Sequence, residues 1–439
     1  MIWNIITYIG DNDTFTPRSL ESEQCLEIDI DRKGRGNPVR YNVKEVVKAT
    51  GLIPSAAAVD LLHLALTVYS VDRSVSRHEA YNRWERGFRV CIPVSDPNRW
   101  EHVRPTLEQV LTFLTNDHWR FEFRQLDSSL IPPANLPLLT VDNANVRAVA
   151  LLSGGLDSFV GAIDTLEFDA IPVAFVSHHN AGSVVSKVQD RVLECLTTHY
   201  PNRMLPFRFY VQPPKGLGNE AELSSRSRSF LFLSLAVVVA SAVGTQVPVI
   251  LPENGFMSLN VPLASNRLGS LSTRTTHPHF LSLFRECLTH LEIAVQIDNP
   301  YRFMTKGEML LNSRNAGILR EGLKGTLSCS NAAQHRFAGV SPYVHCGYCL
   351  PCLVRRAATY HSHFEDVTYH VDVLTNPQGN DLTALRKTIL RFYQSNTPVI
   401  FEAQKSGPLA DSQTEYADVY RRGLTEIAQF LGIIKDNNG

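Results

Sequence analysis

The chain has 439 residues, 44% hydrophobic and 19% charged, with 25 Gly and 24 Pro, which excludes a disordered, collagen-like or mucin-like polymer. At about 150 residues per domain, two or three domains are expected. Lys and Arg number 42 against 43 Asp and Glu, a formal charge of −1, so no global basic field exists to hold nucleic acid. In chain order, Ile5 to Ile9 and Cys25 to Ile30 read as strands, and Ala56 to Val71 as a largely buried helix. Phe88 to Val94 and Trp119 to Phe123 are strand-like, the latter alternating aromatic and charged residues. Residues 1–140 are therefore expected to form a mixed α+β domain, a candidate for docking a partner. The proline-rich stretch from Ser128 to Thr140 is the expected linker.

From Val146 the rhythm changes to strand, helix, strand, helix. Short apolar runs at Val146 to Leu152, Ile171 to Val176, Arg208 to Val211 and Val247 to Leu251 alternate with helical patterns. Val184, Val188, Val192 and Leu196 share one helical face, and Phe230 to Val243 is apolar nearly all round. That last run falls short of the ~20 residues a bilayer span requires. Buried strands separated by helices predict an α/β fold with a parallel sheet over residues 146–360. In such a sheet ligands bind beyond the carboxyl ends of the strands. Residues 365–439 read as a charged, helix-rich C-terminal extension, with helices at Leu382 to Tyr393 and Thr414 to Leu431. The N-terminus lacks a basic segment and a small-residue cleavage site, so a cytoplasmic protein without a membrane partner is expected.

The first strand of this unit runs into Ser153-Gly154-Gly155-Leu156-Asp157-Ser158, and a helical pattern follows. Two glycines allow a sharp turn with successive amides aimed at one spot, and the helix adds its free N–H groups and dipole. Ser153 and Ser158 can donate to phosphate oxygens. Asp157, an anion, suits a magnesium ion that bridges phosphates. A bare Ser-Gly-Gly would be an ordinary surface turn; all six positions, set between strand and helix, point to a phosphate loop. No Gly-Lys-Ser/Thr follows, so this is not a Walker A loop.

Eight cysteines divide into two groups. Cys25, Cys91, Cys195 and Cys287 are scattered, whereas Cys329, Cys346, Cys349 and Cys352 crowd together. Four thiolates at this spacing suit a closed tetrahedral zinc site, with an iron–sulfur cluster as the alternative.

The loop resembles that of the N-type ATP pyrophosphatases, the PP-loop superfamily. Together with HCGYCLPCLVRR downstream, the TKGE segment at Thr305 to Glu308 and the helix start at Ser227-Arg228-Ser229, the chain is similar to the 7-cyano-7-deazaguanine synthase (QueC-like) group. The resemblance covers residues 146–360. It departs from the synthases after the second strand, at Ser177-His178-His179-Asn180, and after the fourth, at Pro252-Glu253-Asn254-Gly255. The flanking regions have no counterpart in the small synthases. That profile resembles the QueC-like proteins of bacterial anti-phage operons, the QatC type in particular.

The resemblance implies a HUP/Rossmann-like domain and cleavage of ATP, with Mg2+, into AMP and pyrophosphate. A 7-deazaguanine carboxylate would be adenylated and passed to an amine. The acceptor would be ammonia in the biosynthetic version. In the defence version it would be a protein encoded in the same operon. Ser153, Gly154, Gly155, Leu156, Asp157, Ser158 and Arg228 would bind the nucleotide, and Glu253 and Asn254 would read the substrate. Lys306 would contact phosphate, and His178 is a candidate for proton transfer. Arg226 and Arg228 open a helix whose dipole they oppose, a placement that calls for an anion. A tRNA-thiolating enzyme fits the loop, but not the isolated cysteines or the flat charge. A glutamine-dependent synthetase is disfavoured because Ile2 follows Met1. A non-catalytic nucleotide-binding component would have no need of Asp157.

Overall fold

Strand β1 (Ile2–Ile9) is buried at every position except its first, and a strand covered on both faces belongs inside a layered α/β structure. The structure, a computed structural model, describes every residue except 1, 18–23, 33–37, 52, 81, 83, 132–145, 181–182, 215–221, 223–224, 245, 263–273, 333, 336–338, 410 and 436–439. Most of the expected linker, and hence any domain boundary within it, lies outside the described residues.

The chain continues through β2 (Gln24–Ile30), β3 (Arg40–Tyr41), α1 (Val43–Ala49), α2 (Ala56–Ser74), β4 (Gly87–Val94), α3 (Pro97–Thr115) and β5 (His118–Gln125). Strands β2, β1, β4 and β5 lie side by side in that order, and every pairing is parallel. The expected α+β unit is therefore α/β. The alternation that suggested a one-sided sheet belongs to β5, an edge strand whose Trp119 and Phe121 are buried while His118, Arg120 and Glu122 are exposed.

The second sheet is built from β6 (Val149–Leu151), α4 (Leu156–Leu166), β7 (Val173–His179), α5 (Val184–His199), β8 (Met204–Gln212), α6 (Arg228–Val243), β9 (Val249–Ile250), α7 (Gly255–Leu259), α8 (Pro278–His290) and β10 (Ile297–Asp298). Its order is β10-β9-β6-β7-β8-β3. The first five strands are parallel, and β3 from the N-terminal region closes the β8 edge antiparallel. From β6 the chain builds outward through β7 and β8, then returns across β6 to add β9 and β10. The reversal leaves a crevice beyond the carboxyl ends of β6 and β9.

The two sheets stand back to back, with α2 packed on α6 and α3 on α8 between them. One continuous apolar core includes Ile5, Val90 and Trp100 from the first sheet and its helices, and Val149, Phe230 and Phe284 from the second. A buried ionic network reinforces the junction. Asp72 and Asp117 each accept from Arg86, at 2.6 and 2.7 Å, and Arg77 pairs with Asp117 at 2.8 Å. Ser227, at the start of α6, donates through its amide and hydroxyl to Asp72 (2.9 and 2.7 Å). Arg226 donates to the Thr115 carbonyl at 2.9 Å and lies over the Trp84 ring, so the N-terminal region supplies contacts for this guanidinium. A chain cut after residue 140 would expose this shared core and remove Ser227 from Asp72, so residues 1–140 do not form a detachable unit.

The remaining elements are α9 (Lys306–Leu311), α10 (Ala316–Gly322), α11 (Leu350–Ser362), α12 (Asn380–Gln394), α13 (Val399–Ala403) and α14 (Gln413–Phe430). The C-terminal region forms a core of its own in which Val419, Leu424 and Ile427 of α14 meet Leu353 and Ala357 of α11 and Leu259 of α7. No helix among the described residues is long and apolar enough to cross a membrane.

Candidate functional site

The crevice holds the predicted loop. Strand β6 delivers Ser153, and Gly154 turns the chain at φ +88°, a conformation that side chains rarely adopt. Ser153 Oγ lies 3.1 Å from Ser158 Oγ, and Ser158 Oγ donates to the Gly155 carbonyl at 2.9 Å. Gly155 caps α4 without a side-chain hydrogen bond. The first amides of an 11-residue helix therefore open onto the crevice with two hydroxyls beside them, the donor set of an anion site.

Asp157, one residue into that helix, is buried with three companions from distant parts of the chain. Its Oδ2 accepts from Asn254 Nδ2 at 2.7 Å and from the Asn254 amide at 3.3 Å, and its Oδ1 forms an ion pair with Lys306 Nζ. Glu253 is the fourth member, hydrogen-bonded to Asp157 through its carboxyl group. Gly161 makes the meeting possible: a Cβ there would come within 2.3 Å of Pro252 Cβ, so only glycine lets α4 approach the end of β9 this closely. Asn299 Nδ2 holds the Glu253 carbonyl at 2.8 Å.

Two carboxyls and one ammonium cannot balance. Burial raises Asp157, but Lys306 and the hydrogen bonds from Glu253 and Asn254 overcome it and hold the carboxyl below its ordinary value. Burial, and then the charge on Asp157, push Glu253 well above its ordinary value. Burial and the Asp157 charge therefore favour the protonated form of Glu253, while Lys306 favours the ionised form of Asp157.

Ser153, Gly154, Gly155, Leu156, Asp157, Ser158, Glu253, Asn254 and Lys306 are thus gathered in one crevice. His178 and Arg228 lie toward the β7 side. The His178 ring packs edge-on to Tyr69 of α2, centroids 5.8 Å apart. Burial, with the Arg228 charge second, lowers His178 to about 3. It is neutral at physiological pH and too weak a base for the proton-transfer role expected of it. Gln189 Nε2 ties the His178 carbonyl (3.2 Å) and the Ser153 carbonyl (3.5 Å) together, so β7 still braces the loop.

The four cysteines come together beside the crevice. Cys346 and Cys352 sulfurs are 3.8 Å apart and Cys349 and Cys329 sulfurs 4.0 Å, near the roughly 3.8 Å edge of a tetrahedron with 2.3 Å Zn–S bonds and far from disulfide contact. All four sulfurs lie within 4.8 Å of one another, a cluster that could hold a zinc ion. Hydrogen bonding among the sulfurs lowers Cys346 to about 7. The cluster also holds Leu327 and Ser328 against the loop: Leu327 N donates to the Gly154 carbonyl at 3.0 Å, and Ser328 Oγ is 3.5 Å from Leu156 N. Ser328 is a site residue that sequence reading missed. Only its place beside Cys329 could have indicated it.

Lys306 is held from the far end of the chain. It opens α9 behind a capping box in which Thr305 Oγ1 accepts from Glu308 N (3.1 Å) and Glu308 returns to Thr305 N (2.9 Å). Helix α14 clamps the same turn. Arg422 pairs with Glu308, and buried Glu426 accepts from Thr305 Oγ1 and from Gly307 N (3.4 Å). Burial raises Glu426 to about 7.

No family model matches the chain, and no curated protein matches it with significance.

Two expectations follow. Glu426 is raised from an unfolded value near 4.5 to about 7, so folding takes up a proton between those values. Its contribution to stability should be fully present below pH 4.5 and be lost as pH rises to about 7, on the order of 3 kcal/mol in all. Glu426→Gln should flatten that fall in urea melts across pH 5–8, and an unchanged slope would contradict the assignment. The cysteine cluster should carry about one zinc per chain, and Cys349→Ser should lower soluble yield together with the metal content. A well-folded protein with no metal, or with iron and sulfide, would count against it by elemental analysis.

Proposed function

We propose that the chain is a QueC-like, ATP-dependent adenylating enzyme of the PP-loop type. It would activate a 7-deazaguanine carboxylate as its acyl adenylate and transfer it to an amine, the N-terminus of a partner protein in an anti-phage system. The observation that carries this reading is the joining of uncapped α4 amides, Ser153 and Ser158 to the buried Asp157–Glu253–Lys306 group at a strand-order reversal. That is a place for a polyphosphate with a cation beside it.

The amides of α4 and the two hydroxyls would bind the pyrophosphate end, with Ser328 beside them. Asp157 and Glu253 would hold Mg2+, since one of them already carries a proton that a cation can replace; when bound, the ion neutralises phosphate charge. A carboxylate oxygen of the substrate would attack the α-phosphorus and expel pyrophosphate. An amine nitrogen would then attack the acyl carbon and expel AMP, losing a proton. The two steps divide one difficult substitution at a carboxylate. The cysteine cluster would hold zinc and keep Leu327 and Ser328 on the loop, without taking part in the chemistry. His178, neutral and buried, is left out of proton transfer.

Incubation of the full chain with ATP and a carboxylated 7-deazaguanine should release AMP and pyrophosphate. Asp157→Ala should lower that rate on the order of 10²–10³-fold. Release of ADP and phosphate would refute the reading. Co-expression with neighbouring gene products should add a deazaguanine acyl mass to one of them. Efficient conversion of ammonia to nitrile, with no protein labelled, would assign the biosynthetic reaction instead.

A further inference from the structure

A second cavity, of about 350 Å³, opens at the β10 edge of the sheet, outside the crevice. Its walls come from α7, α8, the end of β10 and the start of α14. Three features of the wall are donors. Ser258 of α7 lines the cavity, is only 2% exposed, and its Oγ has no hydrogen-bond partner among the described residues. A buried hydroxyl without a partner is costly unless something outside the chain satisfies it. Arg285 of α8 uses its Nε on the Ile297 carbonyl at 2.9 Å and forms no ion pair with a carboxylate among the described residues, which leaves the rest of its guanidinium for another group. Helix α14, 18 residues long, begins at the cavity with Ser412 in a left-handed conformation (φ 58°) and no side-chain cap.

Opposing charge is limited. Asp298 lines the cavity, pairs with Arg302 at 3.3 Å and acts on Arg285 by its charge, and Asp411 lines the cavity beside Ser412. Tyr416 covers the floor.

We propose that this cavity is an oxyanion site, in which Ser258, Arg285 and the amino end of α14 bind a phosphate or carboxylate group of a ligand. A guanidinium, a hydroxyl-bearing residue and a helix N-terminus all line one space sized for more than one water molecule, and each is a donor to negative oxygen. Asn299, which holds the Glu253 carbonyl, also lines this cavity, but the inference does not rest on the adenylation reading.

The test uses the full chain and phenylglyoxal, with arginine modification followed by peptide mass spectrometry. Sodium phosphate or sodium acetate should slow modification of Arg285 several-fold relative to chloride at equal ionic strength. Arg120, exposed on β5, should react unchanged as the internal reference. Protection by phosphate alone assigns a phosphoryl ligand, and protection by acetate alone a carboxylate. Ser258→Ala, with its melting point checked, should raise the half-protecting concentration about tenfold, the loss of one charge-assisted hydrogen bond. No protection of Arg285 by either anion, or equal protection in Ser258→Ala, would overturn the proposal. Neither readout involves turnover, so a failed adenylation assay leaves this result standing.

Discussion

One buried and one half-buried carboxyl group meet a buried ammonium beyond the end of β6, and contacts from several distant elements hold them there. No single element could do it. Asp157 comes from the first turn of α4, Glu253 from the end of β9, and Lys306 from the first turn of α9. Leaving one negative charge unmatched away from water is expensive, and that cost favours a proton on Glu253. The strand order supplies the location, because the connection after β6 runs to one side of the sheet and the connection after β9 to the other.

The supports extend well beyond the crevice. Helix α14 fixes the turn that carries Lys306 through Glu426 and Arg422, so the C-terminal region is part of the site's scaffold. The cysteine cluster fixes Leu327 and Ser328 against the loop. From the other side, α2 reaches the end of β7, where the Tyr69 hydroxyl contacts the Asn180 side chain at 3.4 Å and its ring meets His178. The first sheet is thus joined to the second by shared core, by the Asp72–Arg86–Asp117 network and by contacts at the rim of the crevice. Any partner that docks on the N-terminal region would meet a surface mechanically continuous with the loop.

What could be read from the sequence is what depends on neighbouring residues. The apolar runs near residues 149 and 173 became strands because parallel strands buried on both faces leave few polar interruptions, and the run near 207 forms β8, whose buried positions alternate. The glycine turn, the helix after it and the cysteine spacing are equally local. The parallel character of the first sheet was hidden by two things: β1 carries buried Asn4 and Thr7, which break its apolar run, and β5 alternates because it lies at an edge. Contacts between distant residues left no sequence signal. Glu253 read as a substrate contact because nothing in Pro252-Glu253-Asn254 shows that Asp157 lies opposite. Glu426 lies 121 positions from Thr305 and reads as one more charge on an amphipathic helix. Arg226 read as an anion ligand because Thr115 and Trp84, which it contacts, lie more than a hundred residues away in the N-terminal region.

The central claim is that Asp157 and Glu253 share one proton that a cation displaces. Calorimetric titration of the full chain with Mg2+ and a non-hydrolysable ATP analogue, at pH 8 in two buffers of different ionisation heat, counts that proton directly. The account predicts release of close to one proton per chain, and close to none for Glu253→Gln. Binding with no proton released by the unaltered chain would contradict it.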